Sequence, residues 1–247
     1  MTQPTQKLSG TALLRQRLKT LQAFFRYNAN NVFAGKFIYF ILFAIALFLF
    51  VIVIYTLNTS VPPEAADVYF FLLTPGIVLV FYPSVYGIDN DTQSRMIETL
   101  FGIPDYRYKV WLARNLALYA VVTLILLSLA LLCRFVMTEF NVTSMVFHVL
   151  FPIAFIGSLG FMLSTITRSG NGTTAIMIVI MLVFFSLDDV LEGSRWDLFF
   201  NPFESVEAFV QVIHDDNTLY NRIYIISGII IASMFSLLRL QKREKFI

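Results

Sequence analysis

Residues 37–55, FIYFILFAIALFLFVIVIY, carry neither a charge nor a helix-breaking residue. A helix needs about 20 such residues to cross a hydrocarbon core of about 30 Å. Inside lipid a chain must satisfy its own backbone hydrogen bonds, so a single run of this kind is restricted to a helix. Five further apolar runs follow, and spans are expected at 37–56, 68–86, 116–133, 145–166, 174–187 and 223–238. The fifth is short and ends on Asp188 and Asp189. The expected fold is an all-α membrane protein, a single transmembrane domain over residues 1–247 with six transmembrane helices.

Composition decides between a lipid-facing and a buried apolar surface. Hydrophobic residues make up 57% of the chain and charged residues 14%, against about 25% charged in soluble domains. Mean hydropathy is +0.73. A net charge of +2 is too weak to indicate nucleic acid. The first apolar run is too long for a cleaved signal peptide, so the first span is expected to serve as the insertion signal.

Between the spans lie three informative stretches. In residues 11–33, Leu13, Leu14, Leu18, Leu21, Phe24 and Phe25 recur at helical spacing, with Arg15, Arg17, Lys19 and Arg26 on the remaining surface. This predicts an amphipathic helix lying in the membrane interface. Residues 87–115 are the polar stretch between the second and third spans. Ile97, Leu100 and Phe101 share one helix face, with Arg95, Glu98 and Thr99 opposite. Pro104 ends or angles that helix and Asp105 can cap the next one. Tyr106, Arg107, Tyr108, Lys109 and Trp111 then give the aromatic and cationic band that a membrane surface favours. Either a surface-lying loop or a docking knob for a soluble partner fits this pattern. Residues 188–221 hold eight acids and one cation, Arg195, interleaved with aromatic and aliphatic residues. They are expected to form short helices dipping partly into the outer leaflet, joined at the turn Asn201-Pro202-Phe203.

Charge placement sets the orientation. Six spans put both termini on one side. That side holds fifteen Lys and Arg: six precede the first span, four lie in 87–115, one is Arg168 and four close the chain. The other side holds three, Arg134, Arg195 and Arg222. Cations in short loops stay cytoplasmic. Both termini and 87–115 are therefore expected in the cytoplasm, and 188–221 outside.

Several chemistries find no footing. Cys133 is the one cysteine, and His148 and His214 are far apart without ligand spacing, so no metal site is expected. There is no phosphate-binding Gly-x-x-x-x-Gly-Lys-Ser/Thr loop, so neither ATP nor Mg²⁺ is expected to bind this chain. Arg114, Arg134, Asp188 and Arg222 all fall at span ends, which argues against a proton-coupled carrier or an ion pore. Ser158 lies in Gly157-Ser158-Leu159-Gly160 without a partner histidine at membrane depth, so no catalytic residue is expected there. Pro75, Gly76 and Pro83 interrupt the second span. Together with Tyr82 they are candidates for a pathway wall, or for a kink packed against a neighbour. Asn201, Pro202 and Phe203 are candidates for an outer gate.

Residues 87–115 resemble the loop between the second and third spans of type-2 ATP-binding-cassette permeases. That family carries an acidic-Gly-Thr-Leu-Glu-x-Leu-Leu-x-x-Pro pattern there, followed by Tyr/Arg-rich sequence and a span. The matching residues are Ile97, Glu98, Leu100, Phe101 and Pro104, with Tyr106 and Arg107 beyond; Arg95 and Met96 replace the Gly-Thr pair. The order of the other parts is similar too: an interface helix before the first span, an Asn-Pro step before the sixth, a basic tail. The resemblance implies a coupling helix within 91–110 that docks into an ATPase, with Arg95 and Arg107 as ionic contacts. It implies two ATPase subunits that bind ATP and Mg²⁺, a second permease copy, identical or paralogous, and a place in a plasma or bacterial inner membrane. The cargo would be apolar or amphipathic: a lipid, a drug, a peptide or a lipid-linked molecule. The competing expectation is a multi-pass scaffold that anchors a cytoplasmic ATPase without moving cargo.

Overall fold

The structure, a computed structural model, describes residues 37–93 and 107–240. Every regular element among them is helical: α1 (Phe37–Asn58), α2 (Ala65–Gln93), α3 (Ala113–Val136), α4 (Val142–Thr167), α5 (Gly170–Leu191) and α6 (Gln211–Arg239). A π-helical turn, Arg107–Leu112, leads into α3. All six α-helices are long and apolar enough to cross a membrane. The expected interface helix at 11–33 and the docking residues Arg95, Ile97, Glu98, Leu100, Phe101, Pro104 and Tyr106 lie outside the described residues.

The helices overrun the apolar runs that announce them. α2 begins at Ala65 and continues to Gln93, well into the polar stretch. α5, expected to be short, has 22 residues. Caps set several of these ends. Asn141 accepts a hydrogen bond from the Ser144 N–H at 3.1 Å to start α4, and Ser169 accepts from the Gly172 N–H at 3.3 Å to start α5. Between them Arg168 takes a left-handed conformation, φ 57°, and closes α4. Two residues thus turn the chain between adjacent helices.

α2 is the central helix: 67% of its most apolar window is buried, against 11% for α1 and 6% for α5. Its neighbours are α4, α1, α3 and α5. Leu72, Leu79, Leu126, Met145, Ile153 and Ile156 are fully buried in the interior shared by α2, α3 and α4. α6 packs mainly on α4. The outward faces stay apolar and exposed, as in Leu42, Phe50, Val179, Leu182, Ile231 and Leu238. Such surface is what lipid covers.

Of the bend or local unwinding that Pro75, Gly76 and Pro83 predict, the unwinding does not occur: α2 is helical through both prolines. Both prolines are buried, and close packing on neighbouring helices holds the backbone in place where ring geometry removes two N–H donors. The short helices expected within 188–221 do not form. Residues 192–210 are a series of turns, and 211–221 are the first part of α6. The side chains of Asp197 and Asn201 each accept a hydrogen bond from a backbone N–H two residues on, at 2.9 and 3.0 Å. Asx turns of this kind compete with helix. Gln211 instead donates to Asp215 at 2.9 Å, a spacing that extends α6 outward.

Candidate functional site

Because the helices alternate in direction, the bundle has two polar ends. One gathers the C-terminal ends of α2, α4 and α6 with the starts of α3 and α5. The other gathers the opposite ends with residues 192–210.

At the first end, the Arg114 guanidinium donates to Asp91 Oδ2 at 2.8 Å. Both side chains are nearly buried, at 13% and 11% exposure. Asp91 belongs to the last turn of α2 and Arg114 to the first turn of α3, so the pair closes the base of the 94–106 stretch. Arg114 also lies over the Trp111 ring, 5.7 Å from its centroid. Trp111 packs on Phe161 at 5.9 Å and forms a buried cluster with Ile88, Phe161 and Leu240. Four helical elements are therefore joined beside the described residues that flank 94–106. Arg239 of α6 donates to the Thr165 carbonyl of α4 at 3.0 Å. Tyr86 of α2 donates to Asn171 at 3.1 Å and accepts from Thr174 at 3.2 Å, which ties α5 to the same end.

At the second end, Arg222 of α6 is buried at 6% exposure. Its Nε donates to His148 Nδ1 at 3.3 Å, Nη1 to Asn221 Oδ1 at 2.8 Å and Nη2 to the Phe200 carbonyl at 3.2 Å. Phe151 lies beneath the guanidinium, 5.3 Å away. Asn221 donates to the carbonyls of Asp197 and Arg195 at 2.6 and 3.1 Å. Asn201 donates to the Ala66 carbonyl of α2 at 3.0 Å. The Phe203 ring sits 6.3 Å from Tyr69 and 5.6 Å from His148. The turn Asn201-Pro202-Phe203 is thereby seated over α2 and α4.

Beside it opens a cavity of about 210 Å³ whose lining includes Asp67, Asp188, Asp189, Glu192, Asp197 and Glu204 with Phe70, Phe199 and Phe200. Burial pushes the Asp197 carboxyl up to about 7, and the neighbouring Asp188 adds to the rise. The Phe199 N–H and Arg222 oppose it. Among the described residues, no group of three His, Cys, Asp or Glu side chains is arranged to hold a metal ion.

The pathway candidates divide. Pro75, Gly76 and Pro83 are buried. A Cβ at Gly76 would stand 2.1 Å from Ile153 Cδ1, so α2 and α4 approach closely there. Tyr82 is half-exposed, between Phe40 of α1 at 4.6 Å and Tyr86 at 5.0 Å. Asn201 lines the acidic cavity, while Pro75, Gly76, Tyr82 and Pro83 do not. Ser158 is held by packing and by Tyr119, 3.4 Å away, whose hydroxyl also donates to the Ala154 carbonyl at 3.1 Å. Sequence reasoning placed Arg114 and Arg222 at span ends but missed what each one holds. The signal was their position: a cation at the edge of lipid needs a partner within reach.

No protein-family model matches the chain, and no curated protein or solved structure matches it.

Proposed function

We propose that this chain is the membrane-spanning permease subunit of an ATP-driven exporter of the type-2 ATP-binding-cassette kind. The observation that carries this reading is the division of the bundle into two unlike polar ends. The 94–106 stretch leaves from the end that also holds Arg114, Arg168 and Arg239. The acidic 192–210 segment covers the other. By the loop-cation rule the first end faces the cytoplasm, where ATP is present. There Glu98, Leu100, Phe101 and Pro104 dock into the ATPase, with Arg95 and Arg107 as ionic contacts and Ile97 and Tyr106 beside them. ATP and Mg²⁺ belong to that partner, one copy for each of two permease chains. The exposed faces of α1 and α5 leave room for lipid and for the second permease.

The cargo reading follows from the helix middles. Residues 37–56, 68–86, 116–133, 174–187 and 223–238 hold no Asp, Glu, Lys, Arg or His, and 145–166 holds only His148, near its start. Such walls suit an apolar or amphipathic cargo better than an ion.

The test is to extract the tagged chain from its native membrane and measure ATP hydrolysis in the purified material. Wild-type protein is expected to bring a nucleotide hydrolase with it. The Glu98→Arg, Phe101→Ala double variant is expected to lose it. Hydrolase association and transport unchanged in that variant would reject the docking set. Association without any cargo-stimulated hydrolysis would point to the scaffold reading.

A further inference from the structure

Asp91 and Arg114, twenty-three positions apart in sequence, hold the end of α2 and the start of α3 against each other at 2.8 Å. A nearly buried ion pair of this kind costs much to break, because separating it strands a charge away from water. Three further features lie at the same place. The turn leading into α3 is π-helical, Arg107–Leu112, a wide geometry that is rare and tends to be kept where it serves a task. Trp111, in that turn, is 2% exposed, and its indole N–H meets no acceptor among the described residues. Its ring is fixed between Arg114 and the cluster of Ile88, Phe161 and Leu240. The ends of α2 and α3 are thus tied to each other by the ion pair, and to α4 and α6 through Trp111.

We propose that Asp91 and Arg114 are the positioning pair that couples the docked ATPase to the helices. Their ion pair makes the ends of α2 and α3 move as one body, with Trp111 as the wedge against α4 and α6. This rests on the permease reading above. It goes beyond it by separating two roles: 95–107 grips the motor, and Asp91 with Arg114 delivers the stroke. Neither residue touches the ATPase or the cargo in this account. Their loss should therefore uncouple the complex without dissociating it.

The experiment compares wild type, Asp91→Asn, Arg114→Gln and the charge-swapped Asp91→Arg, Arg114→Asp protein. Each is purified with its co-purifying hydrolase, and hydrogen exchange is followed with and without Mg-ATP plus vanadate. In wild type, nucleotide trapping is expected to change exchange in residues 192–210, at the far end of the bundle. Each single variant should keep the hydrolase and hydrolyse ATP within about twofold of wild type. The far-end response should fall about tenfold. The swap should restore a good part of it, which a residue needed only for folding would not do. Single variants that keep both the hydrolase and the full far-end response would overturn the proposal and leave the permease reading intact. Single variants that lose the hydrolase would also overturn it, since the pair would then serve docking. Wild-type protein that never brings a hydrolase would overturn both.

Discussion

The Arg222 Nη2 hydrogen bond to the Phe200 carbonyl, at 3.2 Å, joins the last helix to the turns that precede it. The same guanidinium reaches His148 on α4. Arg222 therefore shares with Asn221 and Asn201 the task of holding the 192–210 segment over the bundle. Arg222→Met keeps much of the volume and removes every donor. It should destabilise the purified protein by about 3 kcal/mol, since a buried charge-assisted network is lost. Hydrogen exchange should rise first in 195–203. A melting midpoint equal to wild type, with unchanged exchange there, would show that the segment is held by other contacts.

Asp197 gives the second end a pH dependence. Its carboxyl is raised above the ordinary value by burial, with Asp188 adding to the rise. The folded form therefore holds a proton that the unfolded chain gives up. The sign follows: this contribution to stability is complete below the ordinary carboxylate value and is lost as pH rises toward about 7. Other charged or titratable groups facing this region are Asp67 on α2, Asp189 on α5, Glu192 and Glu204 on the same segment, His148 on α4 and Arg222 on α6. The thermal midpoint of wild type should fall between pH 5 and pH 7.5, in a range set by the raised and ordinary values. Asp197→Asn should flatten that part of the curve. Parallel curves for the two proteins would remove Asp197 from the account.

Gly76 is a close-approach position. A methyl there would meet Ile153 Cδ1 at 2.1 Å. Gly76→Ala should cost about 1–3 kcal/mol by overpacking. Adding Ile153→Val, which removes the atom in the way, should recover part of the loss. Additive losses in the double variant, read by thermal denaturation, would mean that α2 shifts along another contact.

Trp111 separates packing from pairing. Trp111→Phe keeps an aromatic ring against Phe161 but leaves a gap beside Ile88 and Leu240. The loss should be about 1–2 kcal/mol, less than that of Trp111→Ala at about 3–5 kcal/mol. Equal losses in the two variants would show that ring packing is not what the cluster uses.

The helices were legible because hydrophobicity marks what sits in lipid. Their ends were less so, since a helix needs backbone bonds rather than apolar side chains to continue. α2 therefore runs through Asp89 and Asp91 to Gln93, and α6 starts at Gln211 among acids. The 192–210 turns were misread because its aromatic residues imitate an amphipathic helix, while Asp197 and Asn201 favour local side-chain bonds. The Asp91–Arg114 contact was beyond sequence reasoning for a different reason. Its partners lie on separate helices, and no periodicity links them.

α1 and α5 bury little of themselves against the rest of the chain. Their backbone bonds are protected by hydrocarbon more than by protein. Extraction into short-chain detergent should therefore peel these two flanks before the α2–α4 centre loosens. Work on the isolated chain would do well to begin in nanodiscs.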